Sequence, residues 1–414
     1  MVFKIDVPAN LIKGDVEEGF GPIADEFRRN FAERGEVGGS CVVYQNGRKV
    51  VDLYGGYRDG RTRKPWEQDT LVTVFSTTKG VSGLAIALAH SRGLIDYDEK
   101  VATYWPEFAA NGKADVTVRQ LLSHQAGLAA IDRPLSVTDL ADLDIVASAL
   151  ADQKPAWVPG TRHGYHAISL GWYEGELIRR VDPAGRSLGR FFAEEIAAKL
   201  GAEFYIGVPD SLEADRIAFI HGFKPAEMML HMGSMPWKFV TNFMNPRSVT
   251  ARSFANPKVL SLTANYNLPE VRRLELPAAN GTGQVSAIAA VYGEAATGGR
   301  TLGLDQSTLD FLMKPAAPPT GGLHDVVLRA DTLFSLGYIK PFPSFRFGSS
   351  GGQAFGTPGA GGSFGFADPE TGIGFAYAMN RSGFHLWDDP REFSLRQALF
   401  HKVLKQATQH PDKR

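Results

Sequence analysis

Ser76 and Lys79, in Ser76-Thr77-Thr78-Lys79, stand three residues apart at the head of an apolar run. In that run Val81, Leu84, Ala85, Leu88 and Ala89 recur at helical spacing, and Gly93 supplies a stop. Side chains three apart on a helix share a face, so the amine can reach the hydroxyl. The positive end of the helix dipole favours an alkoxide there and disfavours a charged lysine. The chemistry is nucleophilic: a serine that passes its proton to a neighbouring amine and becomes acylated. The tetrapeptide alone is weak evidence. About one Ser-x-x-Lys is expected by chance in a chain this long, and Ser76 could instead be a helix cap. The lead-in Leu71-Val72-Thr73-Val74-Phe75 reads as a strand and places Ser76 at a strand-to-helix junction beside the core, where functional groups are commonly held.

Such a serine also needs a group to return the proton and donors for the oxyanion. Tyr165 lies in the turn-rich Pro159-Gly160-Thr161-Arg162-His163-Gly164-Tyr165-His166, ahead of a helix starting at Ser169. A phenol beside a protonated lysine is drawn toward phenolate and can act as a base; the alternative is a half-buried aromatic with a hydrogen-bonded tip. The glycines of Gly356-Thr357-Pro358-Gly359-Ala360-Gly361-Gly362-Ser363-Phe364-Gly365 would let a ligand approach backbone N–H groups on an edge strand, or else mark a bulge. Two Gly-x-Ser-x-Gly matches, at 348–352 and 361–365, lack the following helix of a hydrolase elbow. His163 and His166 have no accompanying His-Glu-x-x-His or cysteine cluster, so no metal site is expected. No phosphate loop or dinucleotide fingerprint calls for a cofactor. His124, after an apolar helix and before Gly127, reads as structural.

The elements that must hold these groups follow from patterning. Residues 17–34 read as an amphipathic helix, and 38–45 and 48–55 as strands joined by the hairpin signal Asn46-Gly47. Helical periodicity covers 116–123, 138–150, 169–181 and 188–200, where Gly201 closes the last. Residues 203–280, rich in Pro, Met, Phe and Asn, read as long, lid-like loops. Helices are expected at 284–297 and 305–313, strands at 361–367 and 373–379 around the turn Asp368-Pro369-Glu370-Thr371-Gly372, and a terminal helix at 391–406. The first and last hairpins could pair into one antiparallel sheet around an inserted helical block, an α+β architecture. The expected division is a sheet domain of 1–80 and 281–414 and a mainly helical domain of 81–280, with the site between them.

Composition excludes several classes. A net charge of −1 leaves no basic excess for nucleic acid and no polybasic membrane patch. With 43% hydrophobic and 21% charged residues, the chain reads as an ordinary soluble globular protein. The start, Met1-Val2-Phe3-Lys4-Ile5-Asp6, lacks a signal-peptide pattern, and the apolar run Val81 to Ala89 is too short to span a bilayer. Cys41 is the only cysteine, in a strand pattern that reads as buried, and no internal disulfide is possible. A cytoplasmic location is expected.

Taken in order, these segments resemble one family. The set comprises Val50-Val51-Asp52-Leu53-Tyr54-Gly55-Gly56, Ser76-Thr77-Thr78-Lys79-Gly80, Thr117-Val118-Arg119-Gln120-Leu121-Leu122-Ser123-His124-Gln125-Ala126-Gly127-Leu128, Pro159-Gly160 with Tyr165, and Gly359-Ala360-Gly361-Gly362-Ser363 through Asp368-Pro369 to Tyr377-Ala378-Met379-Asn380. It resembles the class C-like branch of the serine β-lactamase and penicillin-binding-protein superfamily, over roughly residues 17–405. Within that branch it is most similar to the β-lactamase-like carboxylesterases of family VIII. The resemblance implies a β-lactamase/transpeptidase-like fold with Ser76 as acylated nucleophile, Lys79 as general base or its electrostatic partner, and Tyr165 as second base. It implies an oxyanion hole from the Ser76 N–H and one near Gly362 or Ser363. Gly361 would lie beside substrate. Trp237 and Phe239, with Met228-Met229-Leu230-His231-Met232-Gly233-Ser234-Met235-Pro236, would line an acyl pocket or simply pack. No cofactor or metal is implied, and the partner would be a small-molecule ester.

Two departures from the family pattern matter. Its Tyr-x-Asn reads Tyr165-His166-Ala167, and its Lys-Thr-Gly is replaced around Ala360-Gly361-Gly362. Where many relatives have a histidine before these glycines, Thr357-Pro358 stands. Loss of these anion-binding groups favours neutral esters. β-Lactamase, D-aminopeptidase, amidase or acyl-transfer chemistry on the same machinery, or a non-catalytic binding role, are the alternatives.

Overall fold

The computed structural model describes residues 5–222 and 234–406. The first and last hairpins do pair. Strands β1 (Ile12–Val16), β2 (Gly38–Gln45), β3 (Arg48–Asp59), β8 (Phe355–Pro358), β9 (Phe364–Asp368) and β10 (Ile373–Met379) form an antiparallel sheet in the order β1-β3-β2-β10-β9-β8, with the short β4 (Lys64–Pro65) on β3. The join sets Cys41 of β2 opposite Tyr377 of β10. At the first hairpin Asn46 and Gly47 both take positive φ, 49° and 78°, as its two-residue turn requires.

Two-residue alternation divides the buried side chains between the faces. Cys41, Val43, Phe375 and Tyr377 face one core with helix α1 (Gly21–Glu33) and the C-terminal helix Pro390–Gln397. Val42, Ala376 and Ala378 face the other core, with α2 (Thr78–Ser91), α3 (Ser169–Val181) and α4 (Val285–Ala296). Gly374 lets α4 lie directly on the sheet: a Cβ there would fall 2.2 Å from the Gly293 nitrogen.

Several boundaries differ from expectation. The first helix begins at Gly21, and the residues before it include edge strand β1, whose mostly exposed side chains carry little hydrophobic signal. The 138–150 helix is two, Val137–Leu140 and Leu143–Asp152, with Ser136 and Asp142 as separate N-caps. In the lead-in to Ser76 only Val72–Thr73 (β5) is strand. It belongs to a small second sheet with β6 (Phe204–Tyr205) and β7 (Thr282–Gly283), in the order β5-β7-β6. The expected strand at 361–367 starts only at Phe364; Gly361 and Gly362 form the β8–β9 turn, with φ of 87° and 112°, and β8 is the edge strand. Among the described residues no helix is long and apolar enough to cross a membrane.

Candidate active site

The chain leaves β5, turns sharply and enters α2, and Ser76 sits in the turn. Phe75, the residue before it, holds φ at +49°, a left-handed conformation that disfavours a bulky side chain. Burial pays for the strain: the Phe75 ring is 3% exposed and packs edge-on against Tyr266 at 5.1 Å. Thr78 ties the turn to the far wall, donating to the Phe75 carbonyl and accepting the Gly281 N–H at 2.9 Å. Ser76 is thereby left half-buried in an otherwise buried stretch.

Lys79, one turn on, is 1% exposed. Its Nζ lies 3.2 Å from Ser76 Oγ, 2.5 Å from the Ala167 carbonyl and 2.9 Å from the Ala278 carbonyl. It also sits 4.7 Å from the centre of the Tyr165 ring. Burial lowers the lysine to about 7, against the opposing pull of Glu174. At Ala167, where the family's tyrosine motif has asparagine, the main-chain carbonyl binds the lysine.

Tyr165 is half-buried, and its ring faces Lys79 beside Ser76. Burial, with Asp325 nearby, pushes the phenol above its usual range, which opposes the drift toward phenolate that a protonated lysine would favour. A buried phenolate would need a strong positive partner, and Lys79 is itself pushed toward neutrality.

The loop carrying Tyr165 is braced by two groups. Buried Asp325 accepts the N–H groups of Tyr165 at 2.9 Å, Val327 at 2.8 Å and Leu328 at 2.7 Å. His166 accepts the Leu128 N–H at 3.1 Å and gives its own backbone N–H to His124 Nδ1 at 3.0 Å. Burial holds both imidazoles below their usual range, His166 at about 3, so they are neutral props, in line with a structural His124. Asp325→Ala is expected to cost on the order of 3 kcal/mol, because several buried N–H groups lose their acceptor. Thermal unfolding checks this, and an unchanged Tm would contradict it.

On the opposite side Ser363 Oγ, 1% exposed, donates to the Val74 carbonyl at 2.8 Å and meets Thr77 Oγ1 at 3.1 Å. The serine of the second Gly-x-Ser-x-Gly match is thus a strut tying the β8–β9 turn to the nucleophile turn. Ser350, in the first match, is exposed.

The oxyanion expectation needs correcting at Gly362, whereas the Ser363 N–H has no hydrogen-bond partner among the described residues. The Gly362 N–H donates to the Gly359 carbonyl at 3.2 Å, and a Cβ at 362 would meet Asp389. Gly361 backs onto Met379 and Ser382, and its carbonyl accepts from Arg391 at 2.9 Å. The approach to Ser76 is made by Gly359, where a Cβ would fall 2.4 Å from the Val74 carbonyl and 2.8 Å from Thr77 Oγ1. The next residue, Ala360, is exposed, and neither its N–H nor that of Ser76 has a hydrogen-bond partner among the described residues. Sequence had no means of selecting Ala360, since any of five consecutive backbone amides would read alike.

Of the acyl-pocket residues, Met228 to Gly233 lie outside the described residues. Phe239 is buried against Phe243 and Phe254, at 5.8 and 6.2 Å, and Trp237 is 68% exposed. Among the described residues no group of three or more His, Cys, Asp or Glu could hold a metal ion.

The beta-lactamase family profile matches residues 24–398, nearly the whole described chain. The chain belongs to the beta-lactamase family. Among curated relatives it is similar to the esterase/beta-lactamase LipL of Mycobacterium tuberculosis, 33% identical over 376 residues that cover 89% of this chain and 82% of that one. Among solved structures it is similar to a family VIII carboxylesterase, with a TM-score of 0.83 and 36% identity over 95% of this chain and all (100%) of the other. It is likewise similar to EstA from Arthrobacter nitroguajacolicus, with a TM-score of 0.80 and 32% identity over 95% of this chain and 99% of that one. These matches agree with the expected fold: a beta-lactamase-like antiparallel sheet with helices on both faces.

Proposed function

We propose that this member of the beta-lactamase family is a serine carboxylesterase that cleaves neutral, short-chain carboxylic esters through an acyl-enzyme on Ser76. The observation that carries the reading is the set of contacts around Lys79. A neutral amine has two N–H bonds and one lone pair. With the Ala167 and Ala278 carbonyls taking both N–H bonds, the lone pair is left facing Ser76 Oγ. The burial that brings the lysine to about 7 keeps a large fraction neutral at physiological pH.

In acylation, Ser76 Oγ attacks the ester carbonyl carbon while its proton passes to Lys79 Nζ. The oxyanion is held by the N–H groups of Ser76 and Ala360. The C–O bond to the leaving alkoxide then breaks. Tyr165, protonated in the resting site, gives its proton to that alkoxide and is reprotonated from Lys79, and the alcohol departs. Water repeats the sequence against the acyl group and restores Ser76. The absence of a lysine or histidine at 357–362 supports neutral substrates, as does the similarity to esterases. Tyr165→Phe keeps the ring and removes the proton relay. Its expected effect is a fall in acylation rate of about 10²–10⁴-fold, read by stopped-flow release of p-nitrophenol. Near-wild-type release would take the tyrosine out of the mechanism.

The direct test is intact-protein mass spectrometry with peptide mapping after mixing with p-nitrophenyl butyrate and, separately, with nitrocefin. A butyryl adduct on Ser76 with nitrocefin left whole is the expected result. Efficient nitrocefin turnover would move the assignment to β-lactam hydrolysis.

A further inference from the structure

On the side of the nucleophile, Ser363 ties the β8–β9 turn to Val74 and Thr77. The far side of the same turn rests on Arg391, the second residue of the C-terminal helix Pro390–Gln397. Its guanidinium is 5% exposed, and each of its five N–H bonds has an acceptor. Nε and one terminal nitrogen make a two-pronged pair with the Asp389 carboxylate, both at 2.9 Å. The other terminal nitrogen meets Glu36 at 3.3 Å and the Arg381 carbonyl, just past β10, at 2.9 Å. The fifth N–H goes to the Gly361 carbonyl, in the turn itself, at 2.9 Å.

The turn lies directly on this buried pair. A Cβ on Gly362 would fall 2.8 Å from the Asp389 carboxyl, and one on Gly383 would fall 1.9 Å from Asp389 Oδ2 and 2.6 Å from an Arg391 nitrogen. The Gly383 N–H gives the Gly361 carbonyl a second donor, at 2.8 Å. Both acids are fixed in turn. Asp389 accepts the Arg391 backbone N–H at 3.0 Å, and Glu36 accepts the Tyr377 hydroxyl and, at 3.1 Å, the Val37 N–H. Taking a guanidinium and two carboxylates out of water is costly, and a complete set of hydrogen bonds is what offsets it. Pairing with the acids uses three of the five N–H bonds; the other two hold main chain.

We propose that Arg391 is a positioning residue for the oxyanion hole, which fixes the Gly361 carbonyl and thereby sets the direction of the neighbouring Ala360 N–H. Ala360 stands between Gly359 and Gly361, whose backbones rotate freely without an anchor. An oxyanion donor is effective only when it is already aimed before charge develops. The catalytic part of this inference rests on the acyl-enzyme reading above; the tether does not.

Arg391→Lys keeps a positive charge for the acids but has three donors in place of five and no planar fork. With p-nitrophenyl butyrate the folded variant is expected to lose on the order of 10–10²-fold in kcat, with KM little changed. The fluorophosphonate adduct on Ser76 puts a phosphoryl oxygen where the oxyanion would lie, so phosphorus NMR of the adduct reads the hydrogen bonds made there. In Arg391→Lys the resonance is expected to move from its wild-type position toward that of the urea-unfolded adduct, which a loss of stability alone would not cause. An unmoved resonance in the folded variant overturns the oxyanion role, whatever happens to Tm. Hydrogen exchange read by mass spectrometry tests the tether without any reaction. The peptide containing Gly359 and Gly362 is expected to exchange faster in the variant while helix α4 keeps its rate; unchanged exchange at the turn overturns the tether. Wild-type protein that takes no label at Ser76 would instead remove the acyl-enzyme reading, and the catalytic part with it, while the exchange still decides the tether. If Arg391→Lys does not fold, the double variant Arg391→Met with Asp389→Asn, which removes both charges of the pair, takes its place in every arm.

Discussion

Ser76→Ala abolishes covalent labelling by a fluorophosphonate and lowers ester turnover by about 10⁴-fold or more, while the protein stays folded. The expectation follows from how little the hydroxyl does for stability and how much it does for the site. Its hydrogen bond is with Lys79 Nζ, and the turn that carries it is held by Phe75, Thr78 and Ser363. The change removes one oxygen, and the amine keeps both carbonyls. Intact mass after labelling, with thermal unfolding as control, reads both halves. Labelling that survives in the folded variant would move the nucleophile to another serine, and exposed Ser350 would be the first to map.

Lys79→Met has the second largest expected effect, a fall of about 10²–10⁴-fold in the acylation rate, the usual contribution of a positioned base. Methionine keeps the length and apolar stem, so loss of rate reports the amine rather than a cavity. The pH dependence carries independent information. Lys79 is lowered to about 7, so the neutral, proton-accepting form is lost as pH falls through that value. In wild type kcat/KM should therefore rise with pH and level off above about 8, and residual activity in Lys79→Met should lack that limb. A wild-type profile flat from pH 5 to 9 would contradict the lysine as base.

Legibility differed between kinds of feature. Ser76, Lys79 and Tyr165 could be picked out because the chemistry needs those side chains, and few residue types could replace them. Asp325 could not. It is an isolated acid 160 positions from the tyrosine whose backbone it holds, and nothing in its local sequence marks it. For Trp237 and Phe239 composition left an acyl pocket and plain packing open, and Phe239 packs on its neighbours in its own aromatic cluster. β1 was missed because an edge strand with exposed faces has no apolar period to read.

The chain alone thus determined the Ser76–Lys79 pairing, the hairpin at Asn46-Gly47, the closure of the sheet from its two ends and the family, because each depends on side-chain identity or on a short period. Only the tertiary structure decided the pKa shifts and the backbone partners. Burial raises the Tyr165 phenol and lowers Lys79 to about 7, and removal from water is a property of the packed whole. Likewise the Ala167 and Ala278 carbonyls that meet Lys79 are chosen by where the backbone passes, and every residue carries such groups.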